Sequence, residues 1–133
     1  MQILFIDTES FQTRTRQALI EERIGCRTDI ASTLTDLHLK FKPDTYDLVI
    51  IDHTIENGQA CFDHVIAEAP EQPLLVVSNA VKCVFRCCAD CVKHHNVRRL
   101  NNPTPIPNIL RMVTDFKSYD CDHYDAETDR LSE

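Results

Sequence analysis

The sequence has only two glycines among its 133 residues, and they are far apart. Loops that cradle the phosphates of a nucleotide or a flavin use closely spaced glycines, because the backbone must approach the phosphate. The chain therefore lacks the usual means of binding such a cofactor. We do not expect an enzyme of that kind.

Long apolar runs and an excess of basic residues are also missing. No stretch of about 18 apolar residues occurs, the length that a membrane-spanning helix needs, and the first residues lack the basic start and cleavage site of a signal peptide. The 14 Lys and Arg residues are outnumbered by 21 Asp and Glu, which gives a formal net charge of -7. Because nucleic-acid binding needs cations that neutralise phosphates, we expect a soluble cytoplasmic protein whose domain binds neither membranes nor nucleic acid.

The 7 cysteines are odd in number and mostly clustered. Small secreted domains use paired cysteines and an export signal, so free or metal-bound thiols are expected here instead. The cluster falls on a helix predicted over about residues 80–95, where Cys83, Cys87, Cys91 and His94 share one face. Such a helix spreads these four side chains over about 16 Å, too far for one zinc ion. A thiol or metal sensor that uses a subset of them stays open beside a purely structural role.

Short apolar segments alternate with segments of helical periodicity along most of the chain. The clearest, residues 46–51, is rich in β-branched residues without polar alternation, which is typical of a strand buried on both faces. Four further strands are predicted, near residues 3–6, 27–31, 74–77 and 97–100. Strands that alternate with helices in this way predict a parallel sheet with helices on both sides, a doubly wound α/β domain.

The helical segments set the orientation of the helices and the extent of the domain. The first helix is predicted to face the sheet with residues at helical spacing, namely Phe11, Thr15, Ala18 and Leu19. After Phe116 the apolar pattern gives way to an acidic end that cannot bury a face. We therefore predict one folded domain over residues 1–117 and a disordered tail or linker over residues 118–133.

Polar residues stand where the predicted strands end. Asp7 ends the first strand, Asp52 the third and Ser78 the fourth, and Asn102 follows the fifth. In an open parallel sheet, ligands bind beyond the carboxyl ends of the strands. Two carboxylates there repel each other unless a cation lies between them, and oxygen ligands suit Mg²⁺. A carboxylate beside Mg²⁺ can accept a phosphoryl group, because the metal offsets the charge on the phosphoryl oxygens.

The order and spacing of these motifs resemble the receiver domain of two-component response regulators, over roughly residues 2–116. The matching segments are ILFID at 3–7, YDLVIID at 46–52, LLVVSNA at 74–80 and LNNP at 100–103. The resemblance implies a flavodoxin-like, five-stranded parallel sheet with strand order 2-1-3-4-5. It also implies that Asp52 is the phosphoacceptor, that Asp7 and Asp52 form an acidic Mg²⁺ pocket, and that Ser78 supplies the hydroxyl that responds to the phosphoryl group.

Several positions depart from the family's pattern. Thr8 stands where receivers carry a second acid, so Glu9 becomes a further candidate ligand and Mg²⁺ binding is expected to be weak or absent. Asn102 replaces the usual lysine; it can donate a hydrogen bond but cannot neutralise phosphoryl charge. Arg99 replaces the aromatic switch residue, and Ile55-Glu56 replaces the Met-Pro pair after the phosphoacceptor.

The leading hypothesis is a receiver that accepts a phosphoryl group on Asp52 from a histidine kinase or a phosphotransfer protein. By the resemblance, it signals or forms a homodimer through the surface of the fourth helix, the fifth strand and the fifth helix. Its chemistry would be limited to its own phosphorylation. The alternative is a phosphorylation-independent pseudo-receiver that serves as a protein-binding or dimerisation module.

Overall fold

Five parallel strands form one sheet in the computed structural model, which describes residues 1–78, 96–101 and 106–116. The strands are β1 (Gln2–Ile6), β2 (Arg27–Ala31), β3 (Leu48–Asp52), β4 (Leu74–Ser78) and β5 (Val97–Asn101). Their order across the sheet is β2-β1-β3-β4-β5. The predicted doubly wound α/β class and the strand order 2-1-3-4-5 are both confirmed.

Helices cover the two faces of the sheet. The helices α1 (Phe11–Ile24), α2 (Leu34–Lys40) and α3 (Gly58–Glu68) and a last helix, Ile106–Thr114, are described. Residues of α1 and the Ile106–Thr114 helix pack on one face, and residues of α2 and α3 pack on the other. Because successive strand residues point to opposite faces, a central strand covered on both faces favours apolar residues at successive positions. This explains the unbroken apolar runs in β1 and β3.

The ends of α1 are fixed by the residues that the sequence suggests. The side-chain oxygen of Ser10 accepts a hydrogen bond from the backbone N–H of Thr13 at 3.2 Å, which caps the first turn. At the other end Gly25 adopts the left-handed conformation with φ 73°, and its N–H donates to the carbonyl of Glu21 at 2.9 Å. The chain then reverses directly into β2. No helix in the ranges described is both long and apolar enough to cross a membrane.

The predicted inward face of α1 is wrong. Of the four residues predicted to face the sheet, three are exposed, Phe11, Thr15 and Ala18, and Leu19 is half-buried. Phe11 is 86% exposed. Thr13 and Ile20 are buried instead, and Arg16 and Gln17 between them are half-buried. These residues occupy nearly the opposite side of the helix from the predicted face. The buried side of α1 is polar near its start, where the Thr13 hydroxyl donates to the carbonyl of Thr8 and Gln17 donates to the carbonyl of Thr28 in β2. It is apolar toward its end, where Ile20 packs in the core.

The start of α3 lies unusually close to the loop that follows β3. A Cβ atom on the buried Gly58 would lie 2.4 Å from the carbonyl oxygen of His53 and 2.8 Å from its carbonyl carbon. Real Cβ atoms do not approach backbone atoms this closely, so only glycine fits here without movement of the chain. The backbone N–H of Gly58 also donates to the carbonyl of Ile55 at 3.0 Å, which closes the loop.

We expect Gly58→Ala to destabilise the protein by about 1–3 kcal/mol, the usual cost of forcing extra atoms into a packed site. Gly25→Ala is the matched control, because a Cβ atom there meets nothing within 4 Å and the cost of about 1 kcal/mol comes from the positive φ alone. Urea unfolding of both variants measures the difference. A Gly58→Ala protein as stable as the native chain would contradict the close approach of α3 and the loop.

Candidate functional site

Asp7 and Asp52 come together at the carboxyl edge of the sheet. β1 and β3 are hydrogen-bonded neighbours, and their register pairs Ile6 with Ile51. The next residues along these strands are Asp7 and Asp52, so the two carboxylates stand side by side, about one strand spacing of 4.8 Å apart at the backbone. We call these two residues the acidic rim. The structure thus brings together the two carboxylates that the sequence predicts at this edge.

The carboxylate of Asp7 is buried and has several protein partners. Its Oδ1 accepts the backbone N–H of Thr8 at 2.7 Å, and its Oδ2 lies 3.8 Å from Nη1 of Arg16. Burial raises the pKa of Asp7 and the negative charge of Asp52 raises it further, whereas Thr8, Arg16 and the hydroxyl of Thr13 lower it in part. The pKa of Asp7 is raised overall, which means that its partners do not fully offset the cost of its burial.

One oxygen of Asp52 is held by the loop that follows it. The backbone N–H of Thr54 donates to Oδ1 at 2.9 Å, and the hydroxyl of Thr54 donates to the same oxygen at 2.6 Å. This is the turn that an Asp side chain forms with the backbone two residues ahead. Within the described ranges, Oδ2 of Asp52 has no hydrogen-bond donor. Thr54 therefore fixes the carboxylate through Oδ1.

The loop is tied to its surroundings on both sides. The backbone N–H of His53 donates to the carbonyl of Val77 in β4 at 2.8 Å. The Nε2 atom of the His53 ring lies 2.6 Å from Oε1 of Gln59 in the first turn of α3. The loop that follows Asp52 is thus anchored to both the sheet and a helix. This suits a carboxylate that must hold one orientation.

The remaining predicted site residues lie in varied positions. Glu9 forms an exposed ion pair with Arg14, each side chain being more than half exposed. Ser78 ends β4 with its backbone paired to Asn101, and Asn102 lies outside the described residues. Arg99 is 1% exposed in β5. Of the substituted Ile55-Glu56 pair, Ile55 packs partly against the core and Glu56 is exposed.

The predicted cysteine site lies entirely outside the described residues, so Cys83, Cys87, Cys91 and His94 stay a prediction. Two other cysteines, Cys26 and Cys61, are described, and both are free and buried. Burial raises the pKa of both thiols. Since the thiolate is the reactive form, these two are expected to be inert core residues.

Three residues that contact the rim were missed by the sequence analysis: Thr13, Arg16 and Thr54. Thr54 carries a usable signal, because a Thr two residues after an Asp at a strand end is placed to donate back to it. Thr13 and Arg16 are three residues apart and so share one side of α1. Their signal was hidden because the apolar pattern pointed to the other side of the helix.

A Mg²⁺ ion at the acidic rim would need near-octahedral oxygen ligands at 2.0–2.1 Å. Among the described residues two acids, Asp7 and Asp52, meet here, since Thr8 stands at the position of the second acid of the family pattern and Glu9 pairs with Arg14. Oδ1 of each rim carboxylate already accepts hydrogen bonds. No group of three or more acidic, His or Cys side chains suited to a metal ion occurs among the residues described. The described residues therefore offer Mg²⁺ two carboxylates, one fewer than the family pattern.

Asp7→Asn is expected to stabilise the protein on the order of 1 kcal/mol at pH 7, a typical effect of one buried group. The raised pKa of Asp7 means that the folded state favours its protonated form, so stability falls as pH rises through that pKa. The gain from Asn should vanish below the unfolded-state pKa, where Asp7 is neutral in both states. Urea unfolding of both proteins, from pH 7 to below the unfolded-state pKa, measures this gain in stability. Asp63→Asn on the exposed side of α3 is the control. An Asp7→Asn protein less stable than the native chain at pH 7 would contradict this assignment.

Comparison with known proteins gives a fold but no sequence relative. No protein-family model and no curated protein matches the chain. Among solved structures, the non-phosphorylated HemR receiver domain from Leptospira biflexa matches with a TM-score of 0.68 and 16% identity, over 92% of this chain and 98% of that one. A CheY-like response regulator receiver domain protein from Methanospirillum hungatei matches with a TM-score of 0.65 and 16% identity, over 87% and 92%.

A third structure, the beryllofluoride-activated NtrC4 receiver domain dimer, matches with a TM-score of 0.63 and 20% identity, over 85% of this chain and 93% of that one. All three match with TM-scores above 0.6. The likeness spans nearly the whole of each receiver domain. The chain has the receiver-domain fold.

Proposed function

We propose that this chain is a cytoplasmic response-regulator receiver and that Asp52 accepts a phosphoryl group. The observation that carries the proposal is the placement of Asp52 beside Asp7 at the carboxyl edge of neighbouring central strands, within a receiver-domain fold. Ligand sites of open parallel sheets lie at this edge. A single oriented carboxylate with one available oxygen is the minimum that acceptor chemistry needs.

The proposed reaction is attack of Asp52 Oδ2 on the phosphorus of a phosphorylated histidine. The O–P bond forms as the P–N bond breaks, and the bonding electrons return to the imidazole nitrogen, which takes a proton from water. The product is an acyl phosphate on Asp52 and a neutral histidine. Thr54 holds Oδ1 by two hydrogen bonds and so presents Oδ2 to the donor. In receivers Mg²⁺ offsets the phosphoryl charge.

The other expected residues have supporting parts in this proposal. Ser78 and Asn102 follow β4 and β5, the strands beyond β3 in the sheet, and would donate hydrogen bonds to phosphoryl oxygens. The phosphoryl donor would be a histidine kinase or a phosphotransfer protein. The signal would leave through the surface of the fourth helix, the fifth strand and the fifth helix, which also offers a homodimer contact.

A phosphorylation-independent binding module is the second candidate. It is favoured by the two hydrogen bonds from Thr54 to Asp52 Oδ1, together with Thr8 in place of an acid. A carboxylate with one oxygen already held by its own loop is a weaker acceptor when no metal ion offsets the charge of an approaching phosphate.

Intact-mass analysis after incubation with acetyl phosphate tests acceptance of a phosphoryl group. The native chain is expected to gain one phosphoryl adduct, Asp52→Asn to gain none, and the control Asp63→Asn on α3 to behave as the native chain does. Each reaction is run with Mg²⁺ and with EDTA. A folded native chain without any adduct, or an adduct that persists in Asp52→Asn, would overturn the proposal, and the first result would support the binding module.

A further inference from the structure

The two carboxylates of the acidic rim already have protein partners where a cation would bind. We propose that Arg16, aided by Thr54, takes the place of a divalent cation in the acidic rim, so that the rim does not bind Mg²⁺. The consequence that phosphorylation of Asp52 is independent of metal rests on the proposed function. The exclusion of the cation does not.

Arg16 reaches the rim because of its position on α1. It lies one helical turn after the buried Thr13 and one turn before the buried Ile20, on the side of α1 that packs on the sheet. Its Nη1 lies 3.8 Å from Oδ2 of Asp7, and the two side chains are 28% and 12% exposed. A guanidinium stays charged at any ordinary pH. The rim therefore has a permanent positive charge that is partly shielded from solvent.

This charge changes the balance at the rim. Asp7 and Asp52 together contribute two negative charges when ionised, and Arg16 contributes one positive charge, which leaves a net charge of about minus one at neutral pH. In the parts of the chain described, Arg16 is the one basic side chain within ion-pair distance of either rim carboxylate. A divalent ion at the rim would meet this guanidinium at short range, where Coulomb repulsion is strong.

Thr54 blocks the second carboxylate by a different means. A cation that used Oδ1 of Asp52 would have to compete with both the backbone N–H and the hydroxyl of Thr54. Hydrogen bonds to a charged carboxylate are among the stronger ones in proteins. The same contacts leave Oδ2 without a described donor, so a cation could reach Asp52 only through Oδ2, the atom proposed to attack phosphorus.

The basic residues of α1 provide matched controls. Arg14 pairs with Glu9 on the surface, and Arg23 lies exposed in the last turn of α1, far from the rim. Arg23→Gln and Arg16→Gln remove the same charge from the same helix. Arg16→Lys keeps a positive charge at the rim with a different shape.

Binding of Mn²⁺, a magnetic substitute for Mg²⁺, tests the proposal without any phosphorylation step. Free Mn²⁺ is measured by electron paramagnetic resonance during titration of the native chain, Arg16→Gln, Arg16→Lys, Arg23→Gln and Thr54→Val. The native chain, Arg16→Lys and Arg23→Gln are expected to show no saturable binding in the low millimolar range. Arg16→Gln should bind at least about tenfold more tightly, because a repulsive charge is removed, and Thr54→Val should gain affinity by a smaller factor.

Two results would overturn the proposal: saturable binding by the native chain in the low millimolar range or tighter, or Arg16→Gln and Thr54→Val that bind as weakly as Arg23→Gln. Thermal unfolding establishes that each variant is folded, and Thr54→Val tests the exclusion by itself if Arg16→Gln does not fold. A chain that excludes Mn²⁺ through Arg16 but forms no phosphoryl adduct would leave this inference standing while the proposed function fails. The two failures are therefore distinguishable.

Discussion

The parallel pairing of β1 with β3 places two carboxylates at one edge of the sheet. The polar contacts of this region offset part of the repulsion between them. The register Ile6 to Ile51 leaves Asp7 and Asp52 adjacent where the strands end. Like charges at this distance raise the pKa of Asp7, which burial already raises. Hydrogen-bond donors follow both strands. The backbone N–H of Thr8 donates to Asp7, and the backbone N–H and the hydroxyl of Thr54 donate to Asp52.

Contacts near this carboxyl edge of the sheet also position α1 and α3. α1 turns Thr13 and Arg16 toward the end of β1, although Phe11 is left almost fully exposed as a result. α3 begins so close to the loop after β3 that Gly58 has no room for a side chain. The loop carrying Asp52 is therefore held between β4 and α3, and its conformation depends on contacts that lie outside the rim itself.

The fold could be predicted from the sequence because its signals are local. Unbroken β-branched runs identify strands covered on both faces, and Ser10 and Gly25, residue types typical of helix ends, stand at the ends of α1. The positions of Asp7 and Asp52 follow from the strands that they end. The prediction failed for the rotation of α1, because an apolar stripe normally marks the buried side. Here the first half of the buried side is polar, and its apolar residues, Ile20 and Ile24, come toward the end of the helix. That failure also hid Arg16, whose approach to Asp7 depends on this rotation.

The central claim is that the protein's own side chains, rather than a metal ion, stabilise the acidic rim. A crystal structure of the native chain grown with Mn²⁺, with anomalous diffraction data, tests it most directly. The account predicts no anomalous peak at the rim, the guanidinium of Arg16 beside Asp7, and both donors of Thr54 on Asp52 Oδ1. A manganese ion bound between Asp7 and Asp52, with Arg16 turned away and Thr54 displaced, would contradict it.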